Sequence, residues 1–182
     1  MKKCLIVIDY QNDFVSGSLG FQKAAGLDEK IADKIKEYHS GGDDVLFTLD
    51  THGKDYLKTH EGQCLPVMHC IKETEGHKLY GMTGENCTED DRSFEKVTFG
   101  SDALYEYLKK TPYARIELVG VVTNICVISN AVLAKTAQPE TDIQIDASCV
   151  ASNDEDLQEA ALKVMESLQI RIINGKDGDK DE

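Results

Sequence analysis

The sequence predicts an α/β protein: a three-layer α/β/α sandwich built on a mainly parallel sheet of roughly six strands. Three observations carry this expectation. Short β-rich runs alternate with helical patterns along most of the chain, as βαβ units require. Runs such as Leu5-Ile6-Val7-Ile8 are continuously apolar rather than alternating, which suits strands covered on both faces. The 182 residues are enough for one domain that buries roughly 70% of the unfolded chain's surface. Right-handed crossovers then put helices on both faces in a Rossmann-like arrangement. The residues that follow each strand gather at one rim.

In chain order, the first strand is Cys4–Asp9. Its Met-Lys-Lys opening mimics a signal peptide, but the apolar stretch is too short and Asp9 interrupts it. The helix Asp28–His39 puts Ile31 and Ile35 on one face, with Lys30, Lys34 and Glu37 outside. Val45–Asp50 is the second strand. From Thr51 to Ser93 periodicity fades, yet every histidine except His39 falls there. A long unpatterned insertion is usually functional or disordered, and its content of His, Cys, Tyr and Pro argues against disorder. Phe94–Val97 is the third strand, and Ser101 is placed to cap a helix that turns Leu104, Tyr107 and Leu108 inward. Arg115–Val121 is the fourth strand, followed by the helix Asn124–Lys135 with Asn124 as its N-cap. Asp142–Asp146 and Ile170–Ile173 complete the sheet. Between them lies the helix Asp154–Leu168, with Leu157, Ala161, Val164 and Leu168 as its apolar stripe. Residues 1–174 read as one domain, 51–93 as its active-site insertion, and 175–182 as a flexible acidic tail.

Lys plus Arg is 20 and Asp plus Glu is 33, a net charge of −13, which disfavours nucleic acid and anionic membranes as partners. No apolar run approaches the roughly 20 residues that cross a bilayer. The six cysteines form no CxxC pair, so reduced thiols in a cytoplasmic protein are expected.

The strand ends carry reactive side chains. Strand one ends in Asp9, strand two in Asp50-Thr51-His52, and strand three runs into Lys96. Strand four leads into Gly120-Val121-Val122-Thr123-Asn124-Ile125-Cys126-Val127. A carboxylate, a lysine and a thiol converging on one rim are what nucleophilic catalysis needs. Cys126 in a first helical turn would meet unpaired N–H groups and the helix dipole, which favour a thiolate and could hold an oxyanion. Taken singly, Cys126 also suits a buried structural thiol, Asp9 a turn former and Lys96 a solvated lysine. Their joint placement favours chemistry. Asp50 and His52 point the same way along an extended segment, and Glu61 and His69 follow, with His60 and His77 as further candidates. Such a set suits Zn, Fe or Mn, although the spacings match no compact metal motif.

These segments resemble a known family. Val7-Ile8-Asp9-Tyr10-Gln11-Asn12-Asp13-Phe14 resembles the opening signature of the isochorismatase-like cysteine hydrolases. Phe94-Glu95-Lys96-Val97-Thr98-Phe99-Gly100-Ser101 is similar to the stretch around their central lysine, and Gly120–Val127 resembles their nucleophile turn. The three motifs fall in the family's order and span most of the chain. Asp50-x-His52 with the later Leu65-Pro66-x-x-His69 resembles the nicotinamidase branch.

The resemblance implies a cysteine-dependent amidohydrolase that converts nicotinamide and water to nicotinate and ammonia through a thioester on Cys126. Asp9 would accept the thiol proton, and Lys96 would hold the thiolate and the Asp9 carboxylate by charge. The backbone N–H groups of Val122 and Cys126 would receive the oxyanion, behind a cis Val121–Val122 peptide. Asp50, His52, Glu61 and His69 would ligate a divalent metal, zinc or else iron or manganese, that binds the pyridine nitrogen and a water. Many members carry a further histidine where this chain has Lys58; others use a later glutamate, which Glu61 matches, with His60 adjacent. Several nicotinamidases stack the ring on an aromatic pair that includes Trp, and this chain has none. Phe14 would then supply one face, and Tyr56 or Tyr80 the other. Relatives are often dimers or tetramers, which makes a homo-oligomer a natural partner state. The competing reading is a metal-free relative acting on another small amide, a ureido compound or a vinyl ether. Convergence of Asp50, His52 and His69 separates the two.

Overall fold

A computed structural model describes residues 1–175; the rest of the expected tail lies outside the described residues. Six strands form one sheet: β1 (Lys3–Ile8), β2 (Asp44–Asp50), β3 (Arg92–Lys96), β4 (Arg115–Val121), β5 (Asp142–Ala151) and β6 (Arg171–Ile173). Their order is β3-β2-β1-β4-β5-β6, and every neighbouring pair is parallel. The helices are α1 (Asn12–Val15), α2 (Gln22–Ala25), α3 (Asp28–Ser40), α4 (His60–Cys64), α5 (Gly81–Glu85), α6 (Asp102–Leu108), α7 (Ile128–Ala137) and α8 (Glu155–Ser167).

Alternate residues of each strand serve opposite cores. Cys4, Ile6 and Ile8 join Leu104 and Leu108 of α6, Ala131 and Ala134 of α7, and Met165 of α8. Leu5 and Val7 join Phe14 of α1 and Ile31, Ile35 and Tyr38 of α3. Both faces of β1 are covered from Cys4 to Ile8, and each of those five residues is apolar. Strand order reverses about β1, which opens the switch-point crevice between the carboxyl ends of β1 and β4. No helix among the described residues is long and apolar enough to cross a membrane.

Several elements differ from expectation, each for a physical reason. β3 starts two residues earlier and stops at Lys96, where its ladder closes on Asp50; Val97 beyond it is 76% exposed. β5 runs on to Ala151 through a register shift. Leu118 pairs with Ile145 but Gly120 with Val150, so residues 146–149 bulge out before the strand resumes beside Val121. Asn124 is not an N-cap. Thr123–Val127 form a π-helical turn and α7 begins only at Ile128, while Asn124 Oδ1 accepts a 2.6 Å bond from Ser152 Oγ. A π turn departs from the 3.6-residue period that sequence patterns report.

Lys34 is not a solvent-side residue: its Nζ lies 2.6 Å from Glu117 and 2.8 Å from Asp146 beneath α3. In α8 the expected stripe is displaced. Ala161 is buried, but Leu157, Val164 and Leu168 are exposed, and the helix instead docks through Ala161 and Met165. A small residue and a flexible one let α8 sit close to the sheet and rotate the longer side chains outward. The insertion is built of short pieces: 3₁₀ turns at Tyr56–Lys58 and Glu75–His77, together with α4 and α5. None is long enough to show a period.

Candidate active site

Four successive strands end at one place. β1 delivers Asp9, β2 Asp50, β3 Lys96, and the turn after β4 Cys126. Asp9 adopts a left-handed backbone conformation, φ +45°, which Asp tolerates better than most residues. The Thr48 hydroxyl donates to Asp9 Oδ1 at 2.6 Å and orients the carboxylate. Lys96 Nζ lies 2.7 Å from Asp9 Oδ2, 3.3 Å from Asp50 Oδ1 and 3.5 Å from Cys126 Sγ, and it donates to the Thr98 carbonyl at 2.9 Å. Asp9, Lys96 and Cys126 are all buried.

The chain reaches Cys126 through close backbone contacts. Gly120 has φ +109°, and a Cβ there would collide with the Ile8 carbonyl oxygen, so glycine is required. The Val121–Val122 peptide is cis. The π-helical turn follows and places Cys126 beside Lys96.

Charges in this buried space act strongly on one another. Burial pushes the Asp9 carboxyl up, against the Lys96 charge, and leaves it above the ordinary carboxylate range. Burial and then the Asp9 charge push the Cys126 thiol well up, with Lys96 opposing. Burial alone would lower Lys96, but Asp9, Cys126 and Asp50 outweigh it and raise its pKa. Lys96 thus stands between two carboxyl groups and a thiol, and burial makes Asp9 a readier proton acceptor than an exposed carboxylate.

Beside this group lies a second one. Asp50, His52, Glu61 and His69 offer ligand atoms that all lie within 4.8 Å of one another. Asp50 Oδ2 is 2.9 Å from His52 Nε2 and 3.3 Å from His69 Nε2, and Glu61 Oε1 is 3.8 Å from both imidazoles. His69 Nδ1 donates to the Val67 carbonyl at 2.8 Å, which leaves Nε2 free to face the group. Two imidazoles and two carboxylates around one point fit a borderline divalent cation such as zinc. Burial would raise Asp50, but hydrogen bonds from His52 and His69 and the Lys96 charge hold it well below the usual range.

His60 and His77 lie outside this group. His60 Nε2 is 3.9 Å from the exposed Cys64 thiol, and His77 Nε2 is 2.8 Å from Thr51 Oγ1. Of the three aromatic candidates, the Phe14 ring lies 5.5 Å from His69. Tyr56 is fully buried and stands 4.6 Å from His52 and 4.9 Å from His69, against both imidazoles. Tyr80 packs edge-on against Tyr10 at 6.0 Å, against the core cluster that also contains Phe14.

Sequence reasoning missed three supporting residues. Thr48 orients Asp9. Gln11 grips Asp50 by both backbone groups, at 2.8 Å and 3.0 Å, and also the His77 carbonyl at 2.8 Å. Asn130 ties the Cys126 turn to the loop after β3. Gln11 had one signal, its place in the motif that follows strand one; the other two had none.

The arrangement is that of an α/β enzyme with its reactive groups at the switch point of a parallel sheet. Residues 3–177 match the isochorismatase domain model, and the chain belongs to the isochorismatase family, a family of cysteine hydrolases. The protein is a hydrolase of the class that acts on non-peptide C–N bonds. It is 26% identical to a nicotinamidase of Saccharomyces cerevisiae, over 94% of this chain and 98% of that one. The structure of a nicotinamidase/pyrazinamidase from Bacillus subtilis superposes with a TM-score of 0.84 at 30% identity, covering 94% of this chain and 99% of the other. A Pyrococcus horikoshii pyrazinamidase, solved in complex with zinc, shares the fold with a TM-score of 0.84 at 22% identity, over 96% of this chain and 100% of that one.

Proposed function

We propose that the protein hydrolyses nicotinamide, or a closely similar small carboxamide, to the carboxylate and ammonia. The observation that carries this reading is Lys96 Nζ bridging Asp9 Oδ2 at 2.7 Å and Cys126 Sγ at 3.5 Å, next to a four-donor metal group. The relatives named as nicotinamidases support the substrate.

Asp9 takes the Cys126 thiol proton, and the sulfur attacks the amide carbonyl carbon. Lys96 stabilises both the thiolate and the Asp9 carboxylate. The backbone N–H groups of Val122 and Cys126 receive the oxyanion. As the C–N bond breaks, Asp9 returns the proton to the leaving nitrogen and ammonia departs. A water then gives its proton to Asp9 and its hydroxide adds to the thioester carbonyl. The C–S bond breaks, the acid is released, and the thiol is restored. A divalent ion held by Asp50, His52, Glu61 and His69, zinc or else iron or manganese, would supply Lewis-acid coordination that orients the ring. Phe14 borders that position.

We further assign residues 1–174 to one hydrolase domain, with 51–93 as its active-site insertion. The reduced thiols suit a cytoplasmic setting.

The test is ammonia release from nicotinamide by purified protein, with bound metal assayed on the same sample and Cys126→Ala as control. Release by the wild type with about one metal per chain is expected. None is expected from Cys126→Ala, whose smaller side chain should leave folding intact. Release that survives Cys126→Ala would overturn the nucleophile assignment. A metal-loaded wild type that releases nothing would exclude nicotinamide as the substrate.

A further inference from the structure

Asn130 lies on α7, one helical turn beyond Cys126, and has no exposed surface. Its side chain makes three contacts, all to backbone. Nδ2 donates to the Cys126 carbonyl at 2.8 Å and to the Phe99 carbonyl at 3.0 Å, and Oδ1 accepts from the Ser101 N–H at 2.9 Å. The Ser101 contact fixes which way the amide faces, because an N–H can only donate. One side chain thus spans two segments: the π-helical turn that carries Cys126 and the loop 97–101 that follows β3.

That loop also carries the Thr98 carbonyl, which accepts from Lys96 Nζ at 2.9 Å. Its side chains give it little anchorage, since Val97 and Phe99 are exposed. Polar ties hold it instead. Ser101 is buried and its Oγ caps α6 at Leu104 N, and Gly100 lies so close to α7 that a Cβ would press on Leu133. Asn130 joins these ties to the nucleophile turn.

We propose that Asn130 is a positioning residue that locks the Cys126 turn and the Lys96-binding loop together, and so sets the 3.5 Å separation of Lys96 Nζ from Cys126 Sγ. This inference rests on Cys126 being the nucleophile and Lys96 its charge partner. Each segment is also anchored at its own strand end, the loop by β3 and the turn by β4. The tie matters for their mutual distance, and misplacement by about 1 Å is enough to slow a reaction about 100-fold.

The test compares Asn130→Asp and Asn130→Ser with the wild type. Asp turns an acceptor toward two carbonyls. Ser retains a hydroxyl that can reach back to the Cys126 carbonyl but cannot span to Phe99. Three quantities are read: kcat and KM for nicotinamide, the pH profile of Cys126 alkylation by iodoacetamide followed on its own peptide, and the melting temperature. The expected result is a kcat lowered about 10- to 100-fold with KM within about 3-fold, and an alkylation midpoint raised by about half a pH unit or more as Lys96 loses its hold. Wild-type kcat with an unchanged alkylation profile overturns the proposal. So does a lowered melting temperature with an unchanged profile, which would make Asn130 a packing residue. If Asn130→Asp does not fold, Asn130→Ser carries the test. If the wild type releases no ammonia, the substrate reading has failed on its own. The alkylation profiles still decide on Asn130: a raised midpoint supports it and an unchanged one overturns it.

Discussion

Lys96 is the residue that both groups of the site share. Its ammonium touches Asp9 and Cys126 on one side and Asp50 on the other, with almost no solvent contact. An ion so placed is held by its partners rather than by water, so removing it leaves two buried carboxylates facing a hole. Lys96→Met keeps the length of the stem and deletes the charge. We expect it to destabilise the fold by about 3–5 kcal/mol, as when one partner of a buried ion pair is removed, and to lower kcat by at least about 1000-fold. Urea unfolding and single-turnover kinetics check the two parts. Arg should not rescue either, because a planar fork cannot occupy a point-charge position among four partners, Asp9, Asp50, Cys126 and the Thr98 carbonyl. A Lys96→Met protein as stable as the wild type would overturn the reading that the Lys96 charge offsets the burial of the two carboxyl groups.

The α3 helix makes a comparable arrangement away from the site. Lys34 reaches under it to Glu117 of β4 and Asp146 of β5, while Tyr38 and Gln144 donate to Glu117 at 2.9 and 2.7 Å. Burial pushes the Asp146 carboxyl up, but its bonds from Lys34 and Ser148 outweigh this and hold it below the ordinary range. A depressed carboxyl contributes stability that is present above its unfolded pKa, about 3.9, and is lost as the pH falls through its folded value. Lys34→Met should therefore cost about 3–5 kcal/mol at neutral pH. The deficit should begin to shrink below about pH 4, as Asp146 of the unfolded chain takes up its proton, and vanish once the pH passes the lower folded value. Urea unfolding at the two pH values measures it, and a deficit that does not move with pH would exclude the Asp146 pair as its source. The sequence pattern placed Lys34 on the solvent side because periodicity reports where a Cα faces, not how far a four-carbon stem reaches. The same limit explains the rest of what was and was not legible. Asp9 and Asp50 were readable because β-rich runs end at them, and Lys96 and Cys126 because a parallel sheet aligns its carboxyl ends and the motifs around them are similar to the family's. Thr48 and Asn130 were not, because their partners are 39 and 31 residues away in the chain. The π-helical turn and the rotation of α8 depend on tertiary packing that local pattern does not encode.

Across the whole molecule, the topology joins two bodies of different character at the metal group. Asp50 and His52 belong to the end of β2, within the sheet, whereas Glu61 and His69 belong to an insertion made of short helices and turns. The insertion packs Cys70, Leu79 and Tyr80 against the core, and polar contacts add to this: Cys70 N–H to Asp13 at 2.8 Å, Asn12 to the Glu75 carbonyl at 2.7 Å, and Met82 and Thr83 N–H to Asp28 at 2.9 Å each. His52 also bridges to Ile71 in parallel register. An ion held by all four side chains would cross-link sheet and insertion, and anything that binds only the folded state stabilises it by mass action. At zinc about 100-fold above its dissociation constant the gain is about 2.7 kcal/mol. For a chain of this length that corresponds to a rise in melting temperature of about 5–10 °C. The rise should saturate near one equivalent, be reversed by a chelator, and be accompanied by slower amide exchange across residues 56–77. His52→Ala should abolish both effects. An equal shift in His52→Ala would place the bound ion elsewhere, with the exposed His60–Cys64 pair the first position to test, and no shift in either protein would reduce Asp50, His52, Glu61 and His69 to a polar cluster that holds the insertion by hydrogen bonds alone.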